Sequence, residues 1–231
     1  MTEEERRKRL IDWLDVIYKD VQDVLVDDHV FWEVQAIFKT NLRLSNTPSI
    51  FNRWMATGFI QSAALGVRRQ ADKDKKCVSL HRFLMEVKQF PVLLSRDYVI
   101  AVYRDSNLPN EVAEKLANSD YDRLVGHGLS QPNPDQVQAE IDELLTKTDQ
   151  IHHYVDRRAA HYDERGVQKA MPTFNDLTEC LTMFERVIKK YKILATGTGL
   201  RTLLPVFQYD WKAIFYFPWL GQPETPDPPD R

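Results

Sequence analysis

Between Ile151 and Asp163 the chain gathers side chains that can move protons and hold anions: His152, His153, Asp156, Arg157, Arg158, His161 and Asp163. Three of the 6 histidines lie in this stretch. On a continuous helix His153, Arg157 and His161 are spaced four apart and share one face. Val155 points nearly opposite, toward a core. Ala159 and Ala160 beside His161 let another helix come close. Imidazole is the side chain best suited to exchange protons near neutral pH. Guanidinium holds a phosphate through two parallel hydrogen bonds. The combination is suited to phosphoryl-transfer chemistry on RNA without a metal. The same residues also describe a bland alternative, a solvated helix end with a few weak ion pairs.

Other chemistries find no support. The chain has no glycine-rich phosphate loop, no Cys-x-x-Cys pair, no His-Glu-x-x-His and no Gly-x-Ser-x-Gly. His152 and His153, being adjacent, point about 100° apart on a helix, and no Cys or Glu nearby completes a tetrahedral set. No metal or cofactor is therefore expected. Cys180 falls on an apolar stripe and reads as core, not as a nucleophile. The run from Arg68 to Lys76 holds five basic and two acidic residues. It reads as a solubilising loop in preference to a polyanion contact.

The elements that must position the segment are helical. Hydrophobic residues make up 43% of the 231 residues and aromatics 11%, enough for a sizeable core, and Gly is scarce at 8. A net charge of -3 gives no support for a strongly basic nucleic-acid binder. Two cysteines make no disulfide framework, the charged N-terminus carries no signal peptide, and no stretch is long enough to span a bilayer. A cytoplasmic location with no membrane contact is expected.

Apolar spacing marks the helices. Leu10, Leu14, Ile17, Val21 and Val24 form one stripe, which Asp27 and Asp28 interrupt before Phe31 and Val34 resume it. One long helix or two end to end would fit. Thr47 as N-cap and Pro48 at the first turn predict a helix to about Arg69. Its apolar residues, Trp54 and Phe59 among them, wrap around much of the cylinder, which predicts a central, buried helix. Ser79 caps the next helix, and Pro91 opens a short one bearing Leu94, Tyr98 and Val102. Another runs from Pro109 toward Gly126. Asn133-Pro134 starts the helix carrying Val137, Ile141, Leu144, Thr148, Ile151 and Val155. The clearest pattern spans Thr173–Ala195, with Thr173 and Asp176 as a capping box and Gly197 as the stop. Trp211, Phe215, Phe217 and Trp219 form an aromatic cluster expected to pack back on the bundle. The expectation is an all-α, irregular helical bundle: a single helical domain over 1–217, then a disordered tail over 218–231 with five of the 12 prolines.

The stretch Val155-Asp156-Arg157-Arg158-Ala159-Ala160-His161-Tyr162-Asp163 resembles the signature of HEPN domains, helical nucleotide- and RNA-associated modules of bacterial defence and toxin systems. It is most similar to their abortive-infection, AbiU-type branch, with Trp211, Ile214, Phe215, Pro218 and Trp219 resembling a late segment of that branch. Alignment on Ala160-His161 puts Val155 where the family's arginine belongs. Either Arg157 substitutes one helical turn away, or this copy has lost ribonuclease activity.

The resemblance implies a HEPN-like fold and a phage-defence or toxin–antitoxin setting. It implies a homodimer in which two motifs meet, with RNA and a cognate antitoxin or other protein as partners. As a metal-independent endoribonuclease, the chain would use His161 for proton transfer. Arg157 or Arg158 would stabilise the phosphate, and Asp156 or Asp163 would orient the arginine or histidine. His153 and Asp163 would contact substrate. The alternative is a catalytically inactive helical nucleic-acid- or protein-binding module on the same scaffold.

Overall fold

The computed structural model describes residues 1–41, 49–156 and 172–216. Every regular element among them is helical, and no strand occurs among the described residues. The helices are α1 (Glu3–Thr40), α2 (Ile50–Gln70), α3 (Leu80–Gln89), α4 (Arg96–Arg104), α5 (Asn110–Leu124), α6 (Pro134–Tyr154) and α7 (Phe174–Thr196). Short 3-10 turns cover Pro91–Leu94 and Trp211–Tyr216.

Local signals explain most boundaries. Thr2 caps α1 with a capping box to Glu5. Ser79, Ser95 and Asn133 cap α3, α4 and α6 with side-chain oxygens that accept backbone N–H bonds. Thr173 and Asp176 make the expected box at the head of α7, and Gly197 ends that helix at φ 65°. The stripe Val137, Ile141, Leu144, Thr148, Ile151 and Val155 is buried throughout, as is the face of α7 from Leu177 to Leu194. These two faces pack on each other and on α1, α2 and α3 to form the core.

Of the two arrangements open for the α1 stripe, the single unbroken helix is found, and Asp27 and Asp28 do not break it. Three expectations need correction. Helix α2 starts at Ile50, not at Pro48, because the Ser49 side chain accepts from Asn52 N at 3.1 Å and so supplies the cap. The segment after Pro91 is split: a 3-10 turn carries Leu94, and Ser95 then caps a separate helix bearing Tyr98 and Val102.

The third correction concerns burial. Helix α2 is not buried along its length. Ala63, Ala64 and Val67 are inside, but Trp54 is 68% exposed and Ile50 76%. Trp54 therefore faces out, away from the core it was expected to fill. Of the late aromatic cluster, Trp211 packs near His29 and Phe207, and Phe215 lies edge-on to Trp211 with centroids 6.5 Å apart. Phe217, Trp219 and the tail lie outside the described residues.

Candidate functional site

Helix α6 delivers the segment singled out by its chemistry. Its last turns place Ile151 and Val155 in the core and His152, His153 and Asp156 at the surface. Arg157, Arg158, His161 and Asp163 lie outside the described residues, so the shared face of His153, Arg157 and His161 is not among the described features.

What the described residues do show is a different cluster. The Arg68 Nε of α2 donates to Asp156 Oδ1 at 2.6 Å, and His152 Nε2 lies 3.0 Å from Asp156 Oδ2. Arg68 also approaches Asp72, at 3.8 Å. Both oxygens of Asp156 are thus engaged from two helices. Burial raises the Asp156 carboxyl, but the Arg68 hydrogen bond and charge, with His152, outweigh it and hold the group below the usual carboxylate range. His153 is one position round the helix and half-exposed, with its Nε2 3.9 Å from Asp149. It is not turned toward Asp156.

His152 lies in the candidate segment without an assigned role, and Arg68 lies outside it. Arg68 and Arg69 had been read as part of a solubilising loop. Both are in the last turn of α2 and both carry ion pairs, Arg68 to Asp156 and Arg69 to Asp20 at 2.5 Å. Gln70 beside them is buried, and links Asp20 to the Leu80 backbone N–H. A basic run at a helix end, one turn past a buried Ala64, was the available signal that these arginines reach back to neighbouring helices.

Val155, at the position where the family resemblance would place an arginine, is 1% exposed and belongs to the core. A side chain there has no route to a substrate that leaves the bundle packed. Cys180 is buried too, and burial pushes its thiol up to about 12, so it is held as an unreactive core residue. Among the described residues no group of His, Cys, Asp and Glu is placed to hold a metal ion, and no helix is long and apolar enough to cross a membrane.

A second surface stands out for what it lacks. The outward side of α2 presents Ile50, Phe51, Trp54, Gly58, Gln61 and Leu65 to solvent, with no charge among them. Phe51 and Trp54 lean together with ring centroids 5.8 Å apart. Between α1 and α2 runs a groove of about 380 Å³ lined by Phe31, Val34, Trp54 and Phe59, with Asp27 and Ser62 at its polar edge. Its floor is an aromatic stack in which Phe31 lies 4.2 Å from Phe59 and 5.7 Å from Phe174, with Trp32 edge-on to Phe174 at 5.1 Å. Behind α2, Ile60, Ala64, Ile151, Phe174 and Leu177 line a further apolar cavity of about 310 Å³. Contiguous exposed apolar surface of this kind marks a binding face.

No family model, no curated protein and no solved structure matches the chain.

Proposed function

We propose that this chain is a HEPN-like helical module that acts by docking a protein partner and does not cut RNA. The observation that carries this reading is the exposed, uncharged aromatic face of α2, with Trp54 and Ile50 standing in solvent. Large exposed aromatics are the anchors around which protein interfaces are built. Arg53 is an exposed cation on the flank of this face, whereas affinity for nucleic acid comes chiefly from several Lys and Arg neutralising phosphates. A protein such as a cognate antitoxin, or a second copy of the chain, fits it better than RNA does. The phage-defence or toxin–antitoxin setting implied by the sequence resemblance is retained as part of the proposal.

The other end of the argument is the charged cluster. Asp156, the residue that would orient an arginine or histidine of the motif, has both oxygens taken by Arg68 and His152. Val155 stands in the core where the motif needs a guanidinium.

The test is cleavage. Wild type and His161→Ala are incubated with total RNA, with and without EDTA, and both are expressed to compare toxicity. Both are expected to leave RNA intact and to be equally harmless. Cleavage that survives EDTA, leaves a cyclic phosphate end and disappears in His161→Ala would overturn the proposal in favour of the ribonuclease.

A further inference from the structure

We infer that the groove between α1 and α2 is a docking site for an amphipathic helix of a partner protein, with apolar anchors along its length and lysine or arginine at one end. This rests on the reading that the chain works by docking, and names the chemistry of the partner.

The first ground is shape. Helices α1 and α2 run antiparallel along the groove. Beyond one end Gln35 Nε2 donates to Asn52 Oδ1 at 2.9 Å, and at the other the Ser62 hydroxyl donates to Asp27 at 3.3 Å. From Asn52 to Ser62 the helix rises about 15 Å, at about 1.5 Å per residue. A partner helix of about three turns spans that length and sets anchors on it at i, i+3 or i+4, and i+7. Gly58, midway along, leaves room for it, since a Cβ there would meet no heavy atom within 4 Å. Exposed Trp54 stands on one wall, and the stacked Phe31 and Phe59 close the floor.

The second ground is the change of charge along the groove. Toward Asn52 its lining is apolar, with Val34 and Trp54. Toward Ser62 the α1 wall turns acidic. Asp20, Asp23 and Asp27 are spaced three and four apart, so they share one face of that helix. Asp20 is taken by Arg69 and Gln70. Asp27 holds only the Ser62 hydroxyl, and neither it nor Asp23 has a cation partner among the described residues. Lys19, one turn before Asp23, is exposed and makes no ion pair with it. Arg53 is about 140° round α2 from Gly58, outside the groove. Cations at the matching end of a partner helix would meet Asp23 and Asp27 and fix its direction, while its apolar anchors supply the affinity.

The same charges disfavour the other occupants. A second copy would bring like acids together, and nucleic acid would bring phosphates to them. Residues 217–231 of this chain begin with an apolar run but carry three acids against one arginine, the wrong sign for that end.

Selection of a displayed library of random 15-residue peptides against the full chain tests this, with Trp54→Ala as the counter-selection target. Enriched peptides are expected to hold apolar residues at i, i+3 or i+4, and i+7, with Lys or Arg clustered toward one end. A synthetic copy of the most enriched peptide, followed by fluorescence anisotropy, is expected to bind wild type at least tenfold tighter than Trp54→Ala. The same margin is expected over the doubly charge-reversed protein, Asp23→Lys with Asp27→Lys. All three positions are exposed, so both variants should keep the wild-type far-UV spectrum. Selection repeated on the charge-reversed protein should favour peptides with acidic ends. Enriched peptides without a basic end, or equally tight on the charge-reversed protein, overturn the inference. So does a library with no peptide enriched over Trp54→Ala. Self-association that sedimentation shows to be lost in Trp54→Ala gives the groove to a second copy, and a synthetic peptide of residues 217–231 that binds tighter than the enriched one gives it to this chain's own end. Both overturn the inference as well. None of these outcomes bears on RNA cleavage, so a failure here is separable from a failure of the non-catalytic reading.

Discussion

Helices α2 and α7 are of similar length and similar apolar content, yet they sit in the bundle differently. On α7 the apolar residues from Leu177 to Leu194 fall on one stripe, and all of that stripe is buried. On α2 they surround the helix. It buries Ala63, Ala64 and Val67, with Gln70 and Phe59, while its bulkiest side chain faces water. One-sided periodicity states which face has neighbours. Apolarity all round states only that more than one face is wanted, and leaves open whether the second partner lies within the chain. The inner side of α2 explains part of the inversion: at Gly66 its backbone lies against Val24 of α1, and a methyl there would run into that side chain.

The largest effects should fall where the stripe is buried. Phe184, 1% exposed on α7, should cost about 3–5 kcal/mol on truncation to Ala, as buried aromatics do. Trp54→Ala, on the exposed half of α2, should melt within a degree or two of wild type. Thermal melts of the pair check the contrast, and equal losses would mean that the outward face is covered within the monomer. Val155→Arg belongs with the large losses. Placing an unpaired cation in the core is expected to cost about 3–5 kcal/mol. It should therefore unfold the end of α6 instead of restoring a ribonuclease, and a folded, RNA-cleaving Val155→Arg protein would contradict that.

Within α2 the two glycines sharpen the comparison, because the same substitution should act with opposite sign. Gly66→Ala drives a methyl into the Val24 side chain, and overpacking of this kind costs about 1–3 kcal/mol. Gly58→Ala meets nothing, and should gain up to about 1 kcal/mol from helix propensity. Urea melts at a protein concentration low enough to keep the chain monomeric give both values. Two losses of similar size would show that Gly58 is as tightly packed as Gly66.

Much of this arrangement is legible in the sequence. Caps at Ser79, Asn133 and Thr173 are local: the side chain that ends the orphaned backbone sits within three residues of it. The stripes of α6 and α7 depend only on helical period. What escaped was tertiary. Arg68 and Arg69 looked like loop charges because the acids that hold them, Asp156 and Asp20, are distant in sequence. Trp54 looked like core because a Trp on an apolar helix usually finds a neighbour. Asp156 was read as a partner for residues that follow it, whereas its ligands come from one turn before, His152, and from another helix, Arg68. Spacing along one helix cannot report a contact made by the next.

The smallest effect is the one that probes this cluster. Asp156→Asn keeps the shape of the side chain and removes the charge that Arg68 and His152 face. The pair is partly open to water, so screening limits its worth to a fraction of about 1 kcal/mol. Its sign with pH is fixed by the direction of the shift. The folded carboxyl lies below its ordinary value of 3.8, so the ionised form is favoured by folding. That contribution is fully present above pH 3.8 and is lost as pH falls through the lower folded value. Wild type should therefore be slightly more stable than Asp156→Asn at pH 6, and the gap should close as the solution is taken below pH 3.8. Adding salt at pH 6 should narrow it too. Paired melts across pH 3 to 6 read this directly. A gap that widens in acid would mean that Asp156 is protonated in the folded bundle, with Arg68 and His152 as neighbours and not as its counter-charges.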